Sequence, residues 1–131
     1  MSCPLLATYG TLMRSFGSQA ELGVREQLEF LERCQWQGRL FDLGPFPGAV
    51  PEEGTVHGEL FRLDSSAVWT VLDQYEGYDS ERPEASPFVR RRVSLDTPSV
   101  TAWVYWYNGE LVGQPRVPSG DWQAYLKTDD A

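Results

Sequence analysis

One histidine and two cysteines are all that this chain has of the usual soft metal-binding side chains. Cys3 and Cys34 stand far apart and lack the paired spacings of zinc or redox motifs. A disulfide between them is one reading, but in a reducing compartment buried small hydrophobes are the expected role. Without a ligand cluster, the sequence predicts no metal site and no cofactor. Basic side chains are also scarce: 11 Lys and Arg against 19 Asp and Glu leave a net charge of −8. That balance argues against a nucleic-acid partner or an anionic membrane surface. The one basic run, Arg90-Arg91-Arg92, reads as a solvated strand edge with one member turned inward. No apolar stretch approaches the roughly 20 residues of a membrane span, and the N-terminus has no basic signal region. A cytoplasmic protein is expected. A nucleophile elbow, a Walker loop and a dinucleotide fingerprint are all missing.

Aromatic residues, by contrast, are plentiful. They make up 13% of the chain, with five Trp and six Tyr, which excludes a low-complexity disordered chain. At 131 residues the length predicts one domain, 1–131, large enough for a core of its own. A buried strand is predicted at 4–7. Ser18 followed by Glu21 carries a capping-box signal for a helix to about Leu28, shortened by Gly23. From Phe30 the period becomes two, with Cys34, Trp36 and Leu40 on one parity and Gly38 as a bulge. Gly44-Pro45-Phe46-Pro47-Gly48 predicts a rigid turn, and a strand follows over 56–63. A helix capped by Asp64 or Ser65 carries Val68, Trp69, Leu72 and Tyr75 on its apolar face and ends at Gly77. Strands are predicted near 88–95 and 100–107. Strands outnumber helices, so the expected class is α+β: a small mixed, mostly antiparallel sheet, curled or closed as a barrel, with a few flanking helices.

Two stretches carry chemistry. In Tyr9-Gly10-Thr11-Leu12 a glycine directly after a strand lets the backbone turn and offer successive N–H groups to a carboxylate or an oxyanion. An ordinary strand-ending turn fits the same spacing. In Leu72-Asp73-Gln74-Tyr75-Glu76-Gly77, Glu76 falls at the negative end of the helix dipole, one turn after Asp73. Burial, the dipole and the second carboxylate each raise its pKa towards a general acid–base value; an exposed glutamate before a capping glycine is the plainer reading. A glycosidase pairing Glu76 with Asp73 or Asp79 would need a long groove, which small domains rarely offer. His57, in Val56-His57-Gly58-Glu59-Leu60, reads as a structural strand histidine.

Taken in order, these segments resemble the γ-glutamylcyclotransferase-like superfamily, and nearest its compact γ-glutamylamine cyclotransferase branch. Tyr9-Gly10-Thr11-Leu12 is similar to the family's substrate loop, and Leu72-Asp73-Gln74-Tyr75-Glu76-Gly77 to its catalytic glutamate segment. The segment 38–44 with Pro47-Gly48, then 56–60, 88–93 and 102–105, resemble its strands. Ser119-Gly120-Asp121-Trp122 is similar to a tail of small bacterial-type members. Phe88 departs from the pattern, since relatives often carry a tyrosine there. The resemblance implies intramolecular attack of a substrate α-amine on its γ-carbonyl, releasing 5-oxoproline and a free amine. Glu76 would carry the proton, Tyr9, Gly10, Thr11 and Leu12 would hold the small-molecule γ-glutamyl substrate, and Tyr105 and Arg90 would assist. A γ-glutamylated metabolite of another kind, such as an aminoglycoside precursor, is a further substrate option. A non-catalytic binding or interaction domain that keeps the cavity is the alternative from another class.

Overall fold

In the computed structural model, which describes residues 4–128, strand β1 (Leu5–Thr8) is the centre of a five-stranded sheet. Strands β2 (Leu28–Asp42) and β3 (Pro47–Leu63) form a long antiparallel hairpin on one side. On the other side are β4 (Phe88–Ser94) and β5 (Thr101–Tyr107), so the order is β2-β3-β1-β5-β4. β1 runs antiparallel to β3 and parallel to β5, which makes the sheet mixed but mostly antiparallel. The sheet curls until Gln35 of β2 bridges Thr97, just beyond β4. Isolated bridges thus complete the barrel-like closure, in place of a continuous ladder.

Period-two alternation gives each face of the sheet its own core. Ala7, Trp36, Val56, Leu60, Val104 and Trp106 fill the inside of the curl, where Trp122 joins them. Leu6, Phe61, Leu63 and Tyr105 point outward and are covered by Val68 and Leu72 of helix α2 (Val68–Glu76). The expected parity of β2 holds: Cys34, Trp36 and Leu40 are buried. The register does shift at Gly38, but the extra residues there belong to β3, between Val50 and Thr55, and the bulged residue of β2 is Leu31. Cys34 is a free thiol, pushed up to about 12 chiefly by burial; Cys3 lies outside the described residues. No helix among the described residues is long and apolar enough to cross a membrane.

Three local expectations are corrected. Helix α1 covers only Ser18–Glu21, with a separate 3-10 turn at Arg25–Gln27. Gly23 adopts φ +73 and ends the helix, and the Ser18 hydroxyl bonds Tyr75 where a cap was expected. β3 already begins at Pro47, because residues 47–50 pair with β2 and only 51–54 bulge outward. Tyr75 is 41% exposed and takes no part in the apolar face of α2. The C-terminal segment forms α3 (Trp122–Thr128), where the Asp121 carboxylate accepts the Ala124 amide at 3.1 Å.

Gly58 sits where a side chain has no room. A Cβ there would meet the Thr8 carbonyl oxygen at 2.0 Å, against the central strand. Gly58→Ala is therefore expected to destabilise the fold by about 3 kcal/mol. Thermal melts followed by circular dichroism should register this as a Tm drop of roughly 10 °C.

Candidate active site

The central strand ends where the main cavity, about 380 Å³, opens. Its walls are the 9–12 loop, the last turn of α2, Tyr105 of β5, and a set of apolar side chains around Phe46 and Phe88. The site therefore collects segments from both ends and the middle of the sequence, which the order of strands brings together at β1. Tyr9, Gly10, Thr11, Leu12, Glu76 and Tyr105 all line it.

The loop is held from several directions. Gly10 accepts the Met13 amide at 2.9 Å, closing a turn. Gly10 does not adopt a positive φ. The glycine is needed for another reason: a Cβ would stand 2.8 Å from the Pro47 ring. Gln19, buried, donates to the Leu12 carbonyl at 2.7 Å. Buried Glu59 of β3 accepts the Arg14 amide at 2.8 Å and the Arg14 guanidinium at 3.1 and 3.2 Å. The Thr11 hydroxyl meets that of Tyr75 at 2.7 Å, tying the loop to α2. Among the described residues, nothing in the protein accepts a hydrogen bond from the amides of Thr11 or Leu12. Two fixed donors are thus left for a ligand, in a loop braced by its carbonyl and its flanks. The Tyr9 hydroxyl is fully engaged, donating to the Tyr105 carbonyl at 2.6 Å and accepting the Ala49 amide at 3.2 Å. Its role at the cavity wall is that of a brace.

Opposite the loop, Glu76 is the last residue of α2, followed by Gly77 in the left-handed conformation at φ +76. Its carboxyl is half-buried at the cavity wall and its pKa is pushed up to about 8. Burial is the larger cause and the charge of Asp73 the second. Asp73 itself accepts three hydrogen bonds: Arg90 Nε at 2.8 Å, Arg90 Nη2 at 2.9 Å and Tyr105 Oη at 2.7 Å. Arg90 is also stacked on Trp69 and Trp103, with its guanidinium 4.3 and 4.6 Å from the two ring centres. Among the described residues Arg90 is not part of the cavity wall. It is the inward member of the arginine run, but its partner is Asp73 and neither Glu76 nor the cavity. Burial and the Asp73 hydrogen bond raise the Tyr105 phenol, whose single proton goes to Asp73. Towards the cavity Tyr105 can accept a hydrogen bond but has no second proton to donate.

Asp79 caps a turn through the Glu81 amide, and His57 lies in β3, so neither joins the cavity wall. Sequence reasoning missed Gln19 and Glu59. A signal existed for Glu59, which falls on the same parity as Phe61 and Leu63, because a carboxylate on an apolar, helix-covered parity needs a partner. Gln19 offered none. Phe88, where a tyrosine was the family expectation, packs between Phe46 and Tyr107 at ring distances of 6.0 and 5.4 Å.

The raised pKa of Glu76 has a consequence for stability. The unfolded chain releases this proton near 4.5 and the folded chain only near 8. Unfolding between these values releases a proton, so the term erodes stability as pH rises through that window. Glu76→Gln removes it. The variant is expected to melt several degrees above the parent at pH 9, with the gap closing towards pH 4.

Comparisons with known proteins bear on the family and the fold. A family profile described as "Gamma-glutamyl cyclotransferase, AIG2-like" matches residues 6–124. The γ-glutamylcyclotransferase family protein YtfP of Escherichia coli is 36% identical over 114 residues, covering 87% of this chain and 91% of its own. The solution structure of E. coli YtfP superposes with a TM-score of 0.64 at 31% identity, over 85% of this chain and 88% of that one. A mouse AIG2-like protein shares the fold, with a TM-score of 0.65 at 20% identity over 90% and 88% of the two chains. With a matching profile that spans the sheet, the loop and the glutamate helix, the chain belongs to the γ-glutamyl cyclotransferase, AIG2-like family.

Proposed function

We propose that the chain is a γ-glutamyl cyclotransferase that releases 5-oxoproline and a free amine from a γ-glutamylamine-type substrate. One observation carries the reading. Glu76, the sole carboxylate in the cavity wall among the described residues, is raised to about 8 and faces the loop with the unpartnered amides of Thr11 and Leu12. A half-buried, weakly acidic carboxylate is suited to exchanging protons with an amine, since its pKa lies close to working pH.

In the proposed reaction the Glu76 carboxylate takes a proton from the substrate α-ammonium. The freed nitrogen lone pair attacks the γ-carbonyl carbon, and the carbonyl π electrons move to oxygen. The Thr11 and Leu12 amides receive that oxyanion, an effect of about 3–4 kcal/mol for a well-placed donor. Protonated Glu76 then gives its proton to the departing nitrogen, and the oxyanion electrons reform the carbonyl as the C–N bond breaks. The regenerated Glu76 carboxylate takes the second proton from the ring nitrogen and passes it to the released amine, leaving the neutral five-membered lactam. No water is consumed and no side chain becomes covalently attached. The cavity folds the flexible γ-glutamyl chain into its ring-closing conformer, which supplies an orientation term. Tyr105 and Arg90 act behind this centre: through Asp73 they position the end of α2.

The test is 5-oxoproline release from γ-glutamyl-ε-lysine, γ-glutamylalkylamines, γ-glutamyl dipeptides and glutathione. Glu76→Gln should lower turnover by about 10²–10⁴-fold while substrate affinity is retained. A folded Glu76→Gln protein that keeps the parent rate would remove Glu76 from the mechanism, and no release from any compound would remove the activity. Because Glu76 must be ionised to accept a proton, kcat/KM is expected to rise with pH through about 8. Asp73→Asn deletes one of the charges that raise Glu76. Its acid limb should therefore move to lower pH, as a pH–rate profile would reveal.

A further inference from the structure

We propose that a second cavity, separate from the candidate active site, binds a small free carboxylic acid with an N–H group beside an aliphatic body, the chemistry of an N-acylated amino acid. This site is independent of the main cavity and of the cyclotransferase reading.

The second cavity, about 210 Å³, lies between α1, the 3-10 turn at Arg25–Gln27 and the β2–β3 hairpin. It shares no lining residue with the main cavity. Its apolar side is Leu28 with the edge-to-face pair Phe30 and Phe61, whose ring centres are 5.8 Å apart. Its polar side is Arg14, Gln19 and Arg25, and no aspartate or glutamate lines it.

Charge decides the first property of the ligand. Arg14 gives Nε and Nη2 to buried Glu59 at 3.2 and 3.1 Å, so that pair is neutral. Arg25 has no ion pair and no side-chain hydrogen bond among the described residues. One uncompensated guanidinium at the cavity calls for a single negative charge, and a carboxylate matches its planar fork of donors.

Gln19 decides the second. It is 5% exposed, and its side-chain NH₂ donates to the Leu12 carbonyl at 2.7 Å. A carbonyl can only accept, so this contact fixes which end of the amide is which. The other end, Oε1, accepts no hydrogen bond among the described residues. A buried acceptor left open carries a desolvation cost that a ligand N–H removes. Inorganic phosphate answers the charge alone, whereas an aliphatic body also takes the two phenylalanine rings out of water. Arg14 and Gln19 also hold the flanks of the 9–12 loop, so an acid seated here touches the loop's supports from outside the main cavity.

The test is an amide-resolved NMR titration of the full chain with N-acetylleucine. Two analogues each lack one group: N-acetylleucine amide has no charge, and isocaproate has no N–H. N-acetylleucine is expected to shift the amides around Arg25 and Leu28 saturably. The uncharged analogue should bind about tenfold or more weakly, and isocaproate several-fold more weakly. Arg25→Ala, at an exposed position with no side-chain partner to lose, should weaken N-acetylleucine about tenfold and leave the Tm unchanged. No saturable shift up to about 10 mM would overturn the proposal. So would equal binding of either analogue, or an Arg25→Ala protein as tight as the parent. Shifts centred on Gly77 and Phe88 would put the acid in the main cavity, and the second site would fall.

Discussion

The Asp73 carboxylate is where α2 is fastened to the sheet. It takes both guanidinium donors of Arg90 from β4 and the phenol proton of Tyr105 from β5. Because Glu76 lies one turn further along the same helix, these three hydrogen bonds decide where the proposed proton carrier stands. They also explain how a partly buried ion pair is sustained here. The guanidinium lies over the faces of both Trp69 and Trp103, and the carboxylate has a third donor, so neither ion depends on its counter-charge alone. The junction adds to the apolar packing of Val68 and Leu72 in placing the helix, and Asp73 adds to burial in raising Glu76.

The loop across the cavity is fixed on a similar plan but with different parts. Buried Glu59 holds Arg14 at one flank and Gln19 holds the Leu12 carbonyl at the other, while Thr11 reaches Tyr75 on α2. Each contact uses a carbonyl or a side chain of the loop and leaves the Thr11 and Leu12 amides uncommitted. Donors that are fixed before a ligand arrives cost no reorganisation when charge develops near them. The raised pKa of half-buried Glu76 and this pre-set loop are two sides of the same design, in which the site keeps unsatisfied groups and the surrounding sheet holds them in place.

Much of the frame was legible because it rests on periodicity and punctuation. The parity of Cys34, Trp36 and Leu40, the helix stop at Gly77 and the two late strands all follow from local pattern. Glu76 and its neighbour Asp73 were legible for the same reason, since their separation is a helical turn. What escaped depends on contacts between distant segments. Gly10 looked like a residue chosen for its dihedral freedom, whereas the requirement is room for Pro47. Tyr75 sits at a helical spacing that reads as core, yet its hydroxyl finds Thr11 and Ser18 and keeps the ring at the surface. From the sequence, Arg90 could pair with a substrate carboxylate or with Glu76, and a structural salt bridge is the favoured reading. Only the packing of α2 on β4 chooses Asp73.

The parallel pairing of Leu6 with Trp103 joins a residue near the start of the described chain to one in its last strand. β1 lies between β3 and β5, so its second edge is covered only once β5 exists to receive it. Contacts of such sequence separation form late and slow the search for the native state. The β2–β3 hairpin, whose partners are near neighbours in sequence, is suited to forming early. During synthesis, then, the loop that follows β1 leaves the ribosome early but acquires its working shape among the last parts of the molecule.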